Sequence, residues 1–165
     1  MNADTPARAR IALVMIARNE ARCIARALDS LRPHVDDCLV LDTGSDDDTP
    51  RLARAAGARV EHFRWVDDFS AARNAALDLA PADWHLVVDA DEWLLHGAEA
   101  LASLRRQPPT FVGQLRVDSA QDGEAGEAPS WLSRVLPGGV RYAGRVHEQP
   151  QHGWPVRRLD KIGRA

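Results

Sequence analysis

Trp84-His85-Leu86-Val87-Val88-Asp89-Ala90-Asp91-Glu92-Trp93-Leu94 is the stretch on which the reading of the fold turns. Leu86, Val87 and Val88 form an unbroken apolar run, the pattern of a strand buried on both faces, and the run stops at three carboxylates, Asp89, Asp91 and Glu92. In an open parallel sheet the functional crevice lies beyond the carboxyl ends of the strands, so a strand ending in Asp-x-Asp delivers oxygen ligands there. Such a pair suits a hard divalent cation, Mg²⁺ or Mn²⁺, which shares its remaining positions with water and a substrate phosphate. Taken alone the motif reads more readily as a solvated acidic turn before a helix, so its surroundings decide.

Upstream, Ile11–Ala17 reads as a first buried strand that ends at Arg18-Asn19-Glu20. Ile24, Leu28 and Leu31 then fall at helical spacing, and Pro33 marks the stop. A second strand over 38–41 runs into Asp42-Thr43-Gly44-Ser45-Asp46-Asp47-Asp48-Thr49-Pro50. Its carboxylates and Thr49 are placed to cap a helix over 50–56, where negative charge meets the helix dipole favourably. Capping needs only one or two of them, which leaves Asp42 for a ligand. A third strand over 58–63 leads to a loop with Trp65, Asp67 and Asp68, and to a helix over 71–79 with Ser70 as its cap. Arg73 in the first turn of that helix is unfavourable for the dipole unless an anion lies nearby, which hints at a phosphate.

Downstream the pattern changes. After a helix around Ala98–Leu104, residues 111–117 alternate as a strand, and 121–129 form a polar Gly/Glu loop. Residues 131–136 and 140–146 read as two strands of a hairpin joined by Pro137-Gly138-Gly139. Strands alternating with helices predict an α/β fold, a three-layer α/β/α sandwich on a mostly parallel sheet, with a β extension in the C-terminal part. At 165 residues one domain is expected, with 11–96 as a nucleotide-binding half and 97–165 as a partial acceptor-side half.

Composition narrows the function class. A net charge of −3 with 27% charged residues gives no electrostatic case for nucleic acid. Cys23 and Cys38 form no CxxC or metal-spaced pattern, so reduced, buried thiols are expected. No signal-peptide core and no membrane-spanning apolar run appear, so a cytoplasmic protein is expected, with peripheral contact at the inner membrane face left open. GxGxxG, Walker A and GxSxG are all absent. What stands out is that Asn19-Glu20, Asp42 and Asp89-x-Asp91 follow successive strands, which brings them to one edge of a parallel sheet.

With these motifs in order, the chain resembles glycosyltransferase family 2, inverting nucleotide-sugar enzymes of the Rossmann-like GT-A fold. The resemblance rests on Ile-Ala-Arg-Asn-Glu (16–20), Leu-Asp-Thr-Gly-Ser-Asp-Asp-Asp-Thr (41–49), Asp-Phe-Ser-Ala-Ala-Arg-Asn-Ala-Ala-Leu (68–77), Asp-Ala-Asp-Glu-Trp-Leu (89–94) and Gly-Arg-Val-His-Glu (144–148). It implies a nucleotide-sugar donor, UDP-linked, with Mg²⁺ or Mn²⁺, a glycan, lipid or protein acceptor, and room for a homo-oligomer. By the same resemblance Ala17, Arg18, Asn19, Glu20 and Asp42 line the nucleotide pocket. Arg73 faces the diphosphate, Asp89 and Ala90 approach the ribose or metal, and Asp91 binds the metal, with His147 as a third ligand.

An inverting transfer also needs a base for the acceptor proton. Glu148 is the candidate, with Asp118 in reserve. Thr43 stands where many of the similar proteins carry a second acidic residue, which leaves the nucleobase open. Those proteins also continue past a Leu-Asp-x-x-Ile-Gly segment, whereas Leu159-Asp160-Lys161-Ile162-Gly163 is followed here only by Arg164-Ala165. The expectation is therefore an acceptor half without its lid, an open site, weak donor binding and turnover dominated by hydrolysis. Two rivals follow. One is a non-catalytic nucleotide-sugar binding module; the other is a receiver-like phosphoacceptor domain, which needs a lysine near a late strand, whereas Lys161 lies in the tail.

Overall fold

β1 (Ile11–Ala17) shows why the sheet is covered on both sides, since only Ile16 of its seven residues is not buried. In the computed structural model, residues 8–118 and 130–159 and the backbone of 162–164 are described. The residues before 8, the polar loop expected over 121–129, and Lys161 lie outside them. After β1 come α1 (Ile24–Leu31), β2 (Asp37–Asp42), α2 (Thr49–Ala55), β3 (Arg59–His62), α3 (Phe69–Leu79) and β4 (Trp84–Val87). They are followed by β5 (Glu92–Trp93), α4 (Ala98–Leu104), β6 (Val112–Asp118) and β7 (Ser130–Pro137). Four short strands complete the described chain: β8 (Arg141–Ala143), β9 (Gln149–Gln151), β10 (Val156–Arg158) and β11 (Ile162–Arg164).

Among the described residues one sheet runs in the order β3-β2-β1-β4-β7-β6-β11-β5, with β10 beside β6. The pairs β1–β2, β2–β3 and β1–β4 are parallel, as are β6–β10 and β6–β11. β7 is antiparallel to both β4 and β6, and β5 to β11. The chain leaves β1 for β2 on one side and returns for β4 on the other, which makes the carboxyl end of β1 the switch point where such sheets place their ligands.

Period-two alternation sorts β1 between two cores. Ile11, Leu13 and Met15 pack with Ile24, Ala27, Leu28 and Leu31 of α1 and with Leu101 and Leu104 of α4. Ala12 and Val14 face the other way, into a cluster with Ala76 and Leu77 of α3 and Tyr142 of β8. The α1 stripe repeats at i, i+3, i+4 and i+7, and each fully buried leucine on it contributes roughly 1.5–3 kcal/mol. Helices on one face, and a helix with a β ribbon on the other, give the three layers that alternating elements predict. Among the described residues no helix is long and apolar enough to cross a membrane.

Three local expectations are corrected. The 131–136/140–146 hairpin does not form: β7 inserts between β4 and β6, while β8 pairs with β9 as a separate ribbon. Asn74 explains the divergence, because its side chain donates to Tyr142 O at 3.0 Å and accepts from Tyr142 N at 2.8 Å, docking β8 on α3. α3 is capped by Asp68, whose Oδ1 accepts from Ala71 N at 3.0 Å, and Ser70 instead donates to Gly144 O at 2.6 Å. Of the two free thiols Cys38 is buried and Cys23 only half-buried, and burial first of all pushes them up to about 12 and about 11.

Candidate functional site

β4 stops at Val87, and the chain turns over Asp89 to Glu92. Glu92 N donates to Asp89 O at 3.0 Å, and Asp89 N donates to Glu92 Oε2 at 3.1 Å. Glu92, 2% exposed, is therefore the brace of this turn. Arg134 reaches in from β7, its Nη2 2.7 Å from Glu92 Oε1 and 2.8 Å from Asp89 Oδ2. From α3, Arg73 places Nη2 2.9 Å from Asp89 Oδ1 and Nε 2.7 Å from Glu148 Oε1. Five charged side chains from four parts of the chain thus form one network, which satisfies carboxylates that would be costly to hold apart from water.

The electrostatics follow from that packing. Burial pulls the Asp89 carboxyl up, but Arg134 and Arg73 outweigh it and hold it down at about 2. Burial dominates at Glu92 and raises its pKa despite Arg134. Burial opposes the charge on both arginines, yet the carboxylates prevail and raise both above the usual arginine value. Two guanidinium nitrogens, Arg73 Nη1 and Arg134 Nε, are buried without a hydrogen-bond partner among the described residues.

The Gly-Arg-Val-His-Glu segment, which joins β8 to β9, lies against the start of α3. Phe69 N donates to Arg145 O at 3.0 Å, and Ser70 Oγ donates to Gly144 O. Gly144 has φ +101°, and a Cβ there would come 3.1 Å from His147 O, so glycine allows the turn that delivers Glu148 to Arg73. The first-turn N–H groups of Phe69 and Ala71 are taken by protein acceptors, and Arg73 itself is held by Asp89 and Glu148.

The acidic run after β2 laces the two neighbouring loops together. Asn19, at φ +56°, donates from its N to Ser45 Oγ at 2.9 Å and accepts from Asp46 N at 2.8 Å. Glu20 N donates to Thr49 Oγ1 at 2.7 Å, and Ala21 N to Asp47 Oδ2 at 3.2 Å. Asp42 is not left over as expected: buried at 3% exposure, its carboxylate accepts from Gly44 N and Ser45 N and meets His62 Nδ1 at 3.3 Å.

A cleft of about 370 Å³ opens at the switch point, and Ala17, Arg18, Glu20, Arg73, Asp89, Ala90 and Asp91 all line it. Asn19 lines an adjoining cavity of about 400 Å³ with Arg22, Cys23 and Trp93, and Glu20 and Asp91 form the wall between the two. Glu148, bonded to Arg73, and Asp42, bonded to its own turn, are not among the lining residues, and His147 is exposed. Among the described residues no group of three His, Cys, Asp or Glu side chains could hold a metal ion, so Asp89, Asp91 and His147 are not brought together as one ligand set. Asp118, the reserve base, pairs with Arg116 at 2.6 Å.

Sequence reasoning missed four members of the site. Arg134 and Glu92 brace Asp89, and the cleft gains an aromatic pair, Trp65 and Phe69, with ring centroids 4.8 Å apart. A buried-strand pattern broken by one arginine in Trp131-Leu132-Ser133-Arg134-Val135-Leu136 is the signal that marks Arg134.

The mostly parallel sheet with its flanking helices matches solved structures of the GT-A class. Glucosyl-3-phosphoglycerate synthase from Mycobacterium tuberculosis, solved with Mn²⁺, UDP and glucosyl-3-phosphoglycerate, superposes with a TM-score of 0.56 and 26% identity over 66% of this chain and 44% of that one. The sequence model of Glycosyl transferase family 2 matches residues 12–156, and the chain belongs to that family. A TPR repeat-containing protein of Synechococcus elongatus is 43% identical over 145 residues, 86% of this chain and 36% of the relative. The SPbeta prophage-derived glycosyltransferase SunS of Bacillus subtilis is 30% identical over 156 residues, 90% of this chain and again 36% of the relative. The chain thus spans about a third of the length of these curated relatives.

Proposed function

We propose that the chain is a glycosyltransferase that moves a sugar from a nucleoside-diphosphate donor, UDP-linked, to an acceptor hydroxyl with inversion at the anomeric carbon. The observation that carries this reading is the convergence of Asp89, Asp91 and Arg73 on one cleft at the switch point. The solved relative that holds UDP and Mn²⁺ supports the donor class.

The donor set fits a hard cation, because Asp89 and Asp91 offer oxygen alone. With no three-residue cluster among the described residues, the two would hold a Mg²⁺ or Mn²⁺ that arrives with the diphosphate and takes its other ligands from phosphate and water. When bound, the cation stabilises charge on the leaving diphosphate as a Lewis acid. Arg73, which lines the same cleft, adds a further positive charge beside the leaving diphosphate.

Inversion requires the acceptor oxygen to attack the anomeric carbon opposite the leaving diphosphate. The carbon–oxygen bond to the diphosphate breaks, its electron pair leaves with the diphosphate, and the acceptor proton goes to a base. Glu148 fills that role: Arg73 anchors Oε1, and Oε2 takes the proton.

A second reading, a non-catalytic nucleotide-sugar binding module, is favoured by one observation. Both oxygens of Asp89 are already engaged by arginines, and Glu148 by Arg73. Release of sugar from a panel of nucleotide-sugars, with and without Mn²⁺, separates the two. Metal-dependent turnover of one donor supports the enzyme, whereas metal-dependent binding of a donor that is never cleaved supports the module.

A further inference from the structure

The cleft is sorted by chemistry. On its β4 side stand Asp89 and Asp91, while beyond β2 and β3 it is walled by Thr43, Trp65 and Phe69. Trp65 and Phe69 meet edge to face, with 69° between their planes. The indole Nε1 of Trp65 donates to Asp67 Oδ1 at 2.9 Å, and Asp67 sits at φ +55°. This bond fixes the ring and uses the only donor an indole has, so Trp65 offers a ligand a flat face and no hydrogen bond.

The polar groups beside it are likewise engaged. Thr43 Oγ1 donates to Ala17 O at 3.3 Å, and the Asp42 carboxylate is held by its own turn and by His62. Phe69 nevertheless leaves 39% of its surface open, an apolar area that a flat ring would cover.

We propose that Trp65, backed by Phe69, is the platform on which the nucleobase of the donor stacks. The proposal rests on the glycosyltransferase reading above and deepens it. A nucleoside diphosphate has an anionic, cation-binding group at one end and a flat aromatic ring at the other, the same order in which the cleft sets carboxylates and arginine against the aromatic pair. Because every base has a π-face, the platform supplies affinity more than choice of base.

Calorimetric titration with two probes in Mn²⁺ buffer, UDP and base-free pyrophosphate, tests this. Trp65→Leu is expected to weaken UDP about tenfold and leave pyrophosphate within about twofold, whereas Trp65→Phe, which keeps a ring, holds UDP within about threefold. Unchanged UDP affinity in Trp65→Leu overturns the platform, and so does an equal loss for both probes. A wild-type chain that binds pyrophosphate but no UDP also overturns it. A wild-type chain that binds neither overturns the glycosyltransferase reading itself.

Discussion

Arg73 Nε and Glu148 Oε1 stand 2.7 Å apart, although 75 positions separate the two residues in the chain. Together with the bonds of Phe69 N to Arg145 O and Ser70 Oγ to Gly144 O, it ties α3 to the segment between β8 and β9, and so joins the half that carries the first three strands to the candidate acceptor side. Because Arg73 also holds Asp89, the candidate base and the candidate cation ligand share a single guanidinium.

Glu148→Gln keeps the side chain's size and a carbonyl acceptor for Arg73 while removing the ability to take a proton. Transfer should fall about a hundredfold or more, with UDP affinity retained. Kinetics alongside calorimetry check this, and an affinity or melting point that falls in step with turnover would make the residue structural.

Gly144→Ala forces a side chain onto a backbone at φ +101° and into contact with His147 O. The cost should be about 1–3 kcal/mol, and the displaced turn should withdraw Glu148 from Arg73. Urea unfolding reads the first effect and turnover the second; a variant unchanged in both would show that the turn tolerates the substitution.

Arg134→Met should destabilise more than any surface change. Arg134 is only 8% exposed, and its loss strands Glu92 and one oxygen of Asp89. Breaking a buried pair costs about 3–5 kcal/mol; since the Asp89 side chain keeps 39% of its surface open, the lower end applies, a fall of roughly 6–12 °C in melting temperature. A shift under about 2 °C would mean the arginine does not support the turn.

Acid should find the same network. The Asp89 carboxyl is held at about 2 in the fold against an ordinary 3.8, so its stabilisation is complete above about pH 4 and is lost as pH falls toward 2. Glu92 runs the other way: burial raises its pKa, so its ionised form costs stability that is recovered in acid. The difference between wild type and Asp89→Asn in urea midpoint across pH isolates the Asp89 contribution. That difference should be flat from about pH 7 to 5 and shrink below about pH 4; one that stays constant down to about pH 2 would contradict the assignment.

The parts legible in the sequence are those governed by local pattern. Leu86 to Val88 reads as a two-sided strand because both faces of β4 are covered, and Asp89 and Asp91 reach the crevice because they follow it directly. The hairpin expectation failed for a reason no turn residue reveals. Pro137-Gly138-Gly139 does turn the chain, with Val140 N donating to Pro137 O at 3.0 Å, but β7 had better partners in β4 and β6, and Asn74 drew β8 to α3. Arg134 escaped notice because its carboxylates lie 42 and 45 positions away. Asp42 looked available because its acceptors are spent on the backbone of the next two or three residues, a contact that composition does not show.

The central claim is that Asp91 and Asp89 hold a cation together with a nucleoside diphosphate, and calorimetry of UDP binding tests it most directly. UDP is expected to bind in Mn²⁺ and not in EDTA, and Asp91→Asn to weaken that binding several-fold or more, because an amide is a poorer ligand for a hard cation. UDP binding of equal strength in Mn²⁺ and in EDTA, unaffected by Asp91→Asn, would contradict it.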